Sequence, residues 1–141
     1  MTTTIEALLC LLAKTPMKIK QLFLMLASLV VSIIALLYGI SPTWFAQTFL
    51  NESTLSVDHA HIFRAVMTLY LSLGLFWLSA AFNPKYRNPA VLTTAIFAGG
   101  LVIGRLVSLL VDGRPSTILL VYIAMELSLV PVALWVFRLP E

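Results

Sequence analysis

Few side chains in this sequence can do chemistry, and several of those few stand inside long apolar runs. Arg64, Arg105 and Glu126 each interrupt such a run. A charge at the centre of a membrane helix costs about 2.5–3.5 kcal/mol on insertion scales, so each of the three needs a partner or a route to water. Guanidinium forks suit a carboxylate or a phosphate headgroup. A glutamate can find a cation, accept a hydrogen bond or stay protonated, and a protonatable one could couple proton movement to binding. Tyr122 stands one turn before Glu126 and is a hydrogen-bond donor in reach of it. Asp58, His59 and His61 lie at the start of the second apolar run, and Asp112 and Arg114 close the third.

Other chemistries are poorly supplied. His59 and His61 invite a metal or haem reading, but histidines two apart in a helix point to different sides. They share a metal only if that stretch is not helical. A capped helix start fits them better, with Asp58 as N-cap and both histidines at the wet interface. The single cysteine, Cys10, allows neither an intramolecular disulfide nor a multi-cysteine metal site. No phosphate-binding loop, zinc-protease motif or G-x-S-x-G elbow occurs. No cofactor or metal is expected, and the sparse, scattered charges do not make a nucleic-acid surface.

The elements that carry these residues follow from composition. The chain has 141 residues, enough for one domain, with 60% hydrophobic and 11% charged side chains and a mean hydropathy of +1.00. A water-soluble domain carries about 25% charged residues. The composition predicts an integral membrane protein of all-α class, built as a four-helix bundle. A helix needs about 20 apolar residues to cross the hydrocarbon core, and four segments qualify: about 21–40, 60–82, 90–111 and 118–138. Ser41-Pro42 ends the first. "NPKYRNP" separates the second and third, with Asn88 suited to cap and Pro89 to the first helical position. "DGRPS" follows the third, where Gly113 can take the left-handed conformation. The longer connection from Pro42 to His59 includes "PTWFAQTFL", suited to a short helix lying flat at the interface.

Residues 1–16 are too short and interrupted to span and are expected as a flexible or surface-lying extension. Met17 opens "MKIKQLFLMLASLVVSII", an ordinary start in its own right, with the four-span domain over residues 17–141. That start resembles a signal peptide, but the run is long and lacks an A-x-A site, which favours a retained span. Lys14, Lys18, Lys20, Lys85, Arg87 and Arg138 fall on one side of the membrane, and Arg114 alone among loop residues on the other. The positive-inside rule places both termini in the cytoplasm.

Small and polar residues mark the faces through which membrane helices pack. The expected inward stripes are Ser28, Ser32, Ala35 and Gly39 on the first span; His61, Arg64, Thr68, Ser72, Leu75 and Ser79 on the second; Thr94, Ala98, Leu101, Arg105, Ser108 and Asp112 on the third; and Leu119, Tyr122, Glu126 and Leu129 on the fourth. Gly100 and Gly104 form a G-x-x-x-G pair, a close-packing face inside the bundle or toward a homodimer or complex partner. Pro131 is expected to kink the fourth helix and free the Leu127 carbonyl. The second span starts, the third ends and the fourth starts at one membrane face. At about 1.5 Å per residue, Arg64 lies roughly 6 Å below that face, Arg105 roughly 9 Å and Glu126 roughly 12 Å. An Arg64–Arg105–Glu126 network follows, with Tyr122, Asp112 and His61 around it as a polar or ligand site.

The stretches "HAHIFRAVMTLYLSLGLFWLSAAFNPKYRNPA" and "GGLVIGRLVSLLVDGRPS" resemble a family of bacterial four-helix membrane proteins, domain of unknown function 4345. The resemblance covers residues 21–137 and rests on His61, Arg64, Tyr70, Gly104, Arg105, Ser108, Asp112, Gly113 and Pro115. It implies a bacterial inner-membrane protein with four spans, and it names no substrate or catalytic residue. The amino-terminal extension departs from the usual start. The leading functional expectation is binding or transport of a lipid, small amphiphile or anion at the Arg/Glu site, without catalysis. The alternatives are a structural or accessory subunit of a membrane complex, and a quinone- or haem-linked membrane oxidoreductase.

Overall fold

A computed structural model describes the backbone of residues 2–140 and the side chains of residues 19–140. Helices account for the regular structure among them: α1 (Thr2–Gly39), α2 (Pro42–Phe45), α3 (Val57–Ala81), α4 (Pro84–Val111) and α5 (Thr117–Arg138). A π-helical turn, Ala46–Leu50, continues α2 and stops at Asn51, whose φ of 59° is left-handed. Four stretches are long and apolar enough to cross a membrane: Ile19–Gly39, Val57–Ala81, Pro84–Val111 and Thr117–Arg138. The predicted short helix after Pro42 is present. α1 begins at Thr2, and the lie of the expected extension, residues 1–16, falls outside the residues whose side chains are described.

Two further boundaries differ from expectation, each for a capping reason. α4 starts at Pro84 instead of residue 90, because the earlier Asn-Pro pair takes the cap. The Asn83 side chain accepts from the Lys85 N–H at 3.1 Å, and Pro84 fills the first turn, where a missing N–H costs nothing. Asn88 is instead tied to α1, accepting from Lys20 Nζ at 2.5 Å. Pro89 lies inside the helix, where it forgoes the bond to the Lys85 carbonyl. α3 starts at Val57, and its cap is Ser56 rather than Asp58. Ser56 Oγ accepts from the His59 N–H at 3.2 Å. Asp58 sits in the first turn, where its charge meets the positive end of the helix dipole. Gly113, at φ +90°, makes the predicted turn after α4.

The long helices pair unequally. α1 lies chiefly against α3, and α4 against α5. Small residues bring α1 and α3 close: Ser28 Oγ donates to the Gly74 carbonyl at 2.7 Å, and Met67 occupies the space that a side chain on Gly39 would need. Trp77 Nε1 donates to Thr93 Oγ1 at 3.1 Å, joining α3 to α4.

The expected inward stripes hold on α1 and α5 and along most of α4, where Ser108 and Asp112 are exposed. α3 is the exception. His61, Arg64, Thr68, Ser72, Leu75 and Ser79 all face outward, and Tyr70, Gly74, Trp77 and Ala81 are the buried face. The hydroxyls need no neighbouring helix. Thr68, Ser72 and Ser79 donate to the carbonyls of Arg64 and Ala65, Thr68, and Leu75 on α3 itself. With their polarity satisfied locally, the large rings and the close-approach glycine take the inner face. Gly100 and Gly104 also point outward, with nothing near the position of a Cβ, so they are not an internal packing face. α5 runs through Pro131 without interruption.

Candidate functional site

Arg105 and Glu126 meet near the end of the molecule where α1 and α4 finish and α3 and α5 start. Arg105 Nε donates to Glu126 Oε2 at 2.6 Å, and Nη2 to Oε1 at 3.0 Å. This fork-to-fork pair is the strongest geometry open to the two groups. Their side chains are only 19% and 14% exposed, so the pair is enclosed mainly by protein. The depths along α4 and α5 differ by about 3 Å, roughly half a turn, and the length of the arginine side chain closes that gap.

Tyrosines surround the pair. The guanidinium carbon lies 5.9 Å from the centre of the Tyr122 ring, a cation–π distance. Tyr38 and Tyr70 also interact electrostatically with the charged groups. Tyr38 is the hub of this end: its ring is 4.7 Å from Phe45, 6.0 Å from Phe63, 6.0 Å from Tyr122 and 6.3 Å from Tyr70. Such contacts hold four elements around one charged pair. The Tyr122 hydroxyl does not bond Glu126. It is buried and has no hydrogen-bond partner, in a residue only 5% exposed.

The other expected members stand apart. Arg64 is exposed on α3 and makes no ion pair among the described residues. Tyr70 faces inward from six positions further along, about two-thirds of a turn round the helix. Depth alone therefore placed Arg64 near Glu126 while its azimuth turns it away. His61 is exposed, and the His59 ring lies 2.9 Å from Ser56 Oγ at the helix start. Among the described residues no three His, Cys, Asp or Glu side chains gather as a metal site. Asp112 is exposed at the end of α4.

Two hollows meet at Arg105. The first is an apolar cavity of about 340 Å³ between the α1–α3 and α4–α5 pairs. Arg105, Glu126 and the three tyrosines line its charged end, and Phe23, Trp77 and Val132 line its deeper part. Its α1 wall runs from Tyr38 back to Phe23, about 22 Å of helix. The second, about 320 Å³, is lined by Arg105, Ser108, Asp112, Gly113 and Arg114 among others and is the more polar. Arg105 lines both, and Glu126 lines only the apolar one. The arrangement joins a long apolar space to hydrogen-bonding groups at one end. Tyr38, Trp77 and the cavity floor were missed in the sequence because aromatic residues near span ends read equally well as interface anchors. Matching the depth of Tyr38 to that of Tyr122 would have been the available signal.

No curated protein and no solved structure is significantly similar to the chain. A family model does match, over residues 19–137, a stretch that spans the four apolar helices but for Arg138 and contains both partners of the Arg105–Glu126 ion pair. The chain belongs to the family described as Domain of unknown function (DUF4345).

Proposed function

We propose that this chain is a multi-pass membrane protein that binds a small lipid or amphiphile in the cavity between its helix pairs. The ligand's apolar part lies along α1 and α5, and its head lies at Arg105, Glu126 and Tyr122. The carrying observation is one cavity of about 340 Å³ that is apolar along its length and charged only at one end. Ligand sites have this composition, with mostly apolar walls and a few placed polar groups. A charge pair whose sole purpose was to hold the helices in register would not need a cavity beside it. By the positive-inside rule, the charged end faces away from the cytoplasm of a bacterial inner membrane.

The test fills the cavity and leaves the ion pair alone. Leu129 lines the cavity, and Leu129→Trp occupies its middle. Native mass spectrometry of protein purified in mild detergent is expected to show a retained small lipid on the unmodified chain and none on the folded variant. The same lipid held equally by both would overturn the reading. A second reading, an accessory subunit of a membrane complex, draws on the outward Gly100 and Gly104, which leave room for another helix. It predicts a partner that co-purifies and is lost when those glycines are enlarged.

A further inference from the structure

The cavity reading leaves the ligand's head group open, and the geometry narrows it. We infer that the site takes a neutral, acceptor-bearing head, of the ester, ketone or amide class, and discriminates against carboxylate and phosphate heads. This rests on the cavity reading above.

Three observations carry it. Both oxygens of Glu126 are held by Arg105, so the pair has no net charge to offer. An anionic head would have to displace Glu126, leaving that carboxylate without a partner in an enclosed site, or lie beside it and be repelled. A cationic head would meet Arg105 instead. The second observation is Tyr122. It lines the cavity, it is 95% buried by its 5% exposure, and its hydroxyl has no partner. A buried unmade hydrogen bond costs free energy, which an acceptor restores once a small shift of the ring brings the hydroxyl to the cavity surface. The third is the surplus of donors. Arginine carries five N–H donors and cannot accept; Glu126 takes two of them and the Tyr38 hydroxyl is a further partner, which still leaves donors over. A carbonyl oxygen is the neutral group that answers a donor-rich corner. The cavity volume of about 340 Å³ holds on the order of ten groups the size of a water or methylene, at about 30 Å³ each.

Trp77 supplies the readout. It lines the cavity and is 1% exposed. It stands seven residues past Tyr70 on α3, about 10 Å deeper than the tyrosine ring, within reach of the tail of a ten-carbon probe. In full-length protein carrying Trp44→Phe and Trp135→Phe, Trp77 is the sole tryptophan, and a bromine beside it quenches its fluorescence. The probes are methyl 10-bromodecanoate, 10-bromodecanoate and 1-bromodecane, added to protein in nanodiscs. The ester is expected to quench at about two- to tenfold lower concentration than the bromoalkane, the range of one hydrogen bond, and the carboxylate more weakly than the ester. Tyr122→Phe is expected to erase the advantage of the ester over the alkane. That variant removes a hydroxyl with no partner in the protein, so its folding is not at risk. Glu126→Gln, which leaves Arg105 its charge, is expected to turn the preference toward the carboxylate.

A carboxylate that binds the unmodified site as well as the ester overturns the head-group assignment, as does an ester advantage that survives Tyr122→Phe. Equal quenching by all three probes upholds the cavity and overturns the assignment. Quenching by none of them overturns the cavity reading and this inference together.

Discussion

Arg105 gives two donors to Glu126, and that commitment governs what either residue does alone. Removing one partner leaves the other charged in an enclosed, lipid-surrounded site. For fully buried pairs the loss is about 3–5 kcal/mol, an upper bound for a pair 19% and 14% exposed. Arg105→Ala and Glu126→Ala are therefore each expected to lower stability strongly in a detergent unfolding titration. The double variant, which leaves no orphan charge, is expected to lose less than the sum of the two. Additive losses would mean that the pair is not coupled. The pairing itself was legible in the sequence because both residues lie at similar depth from a shared turn, and alternating spans bring those depths to one face. The role of Arg64 was misread for the same reason that the pair was read correctly. Depth is one coordinate, and azimuth is the other. Arg64 differs from Tyr70 by about two-thirds of a turn, which is the difference between the outside of α3 and the site.

Among elements, the glycines separate the surfaces that are in use from those that are open. A Cβ on Gly39 would overlap Met67, and one on Gly74 would lie 2.9 Å from Ser32 Oγ and 3.0 Å from Val31. Both positions belong to the tight α1–α3 pair. Overpacking of this kind costs about 1–3 kcal/mol, so Gly39→Ala and Gly74→Ala are each expected to destabilise the protein measurably. Gly100→Ala and Gly104→Ala meet nothing within 4 Å and are expected to leave stability unchanged. If they alter sedimentation while stability holds, the outer face of α4 is a contact between chains. The stripe on α1 was legible because its small residues serve the close approach to α3, with Ser28 bonding across it to the Gly74 carbonyl. The stripe on α3 misled because serine and threonine have a second use, bonding back to their own helix. On α3 the polar stripe therefore did not mark an interface, because its hydrogen bonds are made within the helix.

For the whole molecule, the four-span parity matters more to the site than the direction of insertion does. α1 and α4 end, and α3 and α5 begin, at the same side, so Tyr38, Arg105, Tyr122 and Glu126 converge whichever way the chain enters the bilayer. Direction decides only which compartment the polar hollow at Asp112 and Arg114 faces. Lys20, Lys85, Arg87 and Arg138 lie at the opposite end, and Arg114 is the loop cation at the site's end. The energetic basis is that loops rich in lysine and arginine stay on the cytoplasmic side. The expected outcome is that the hollow opens away from the cytoplasm. Single cysteines in a Cys10→Ser background read this directly. Thr54, in the loop before α3, and Tyr86, in the first turn of α4, are both exposed, at the two ends. An impermeant thiol reagent applied to cells with the outer face of the protein's membrane accessible is expected to label Thr54→Cys. Tyr86→Cys is expected to react only after the membrane is opened. The reverse pattern would turn the hollow toward the cytoplasm and put its ligand exchange there. Because parity and not direction assembles the tyrosines around the ion pair, the same result would leave the cavity and its head-group chemistry where they are.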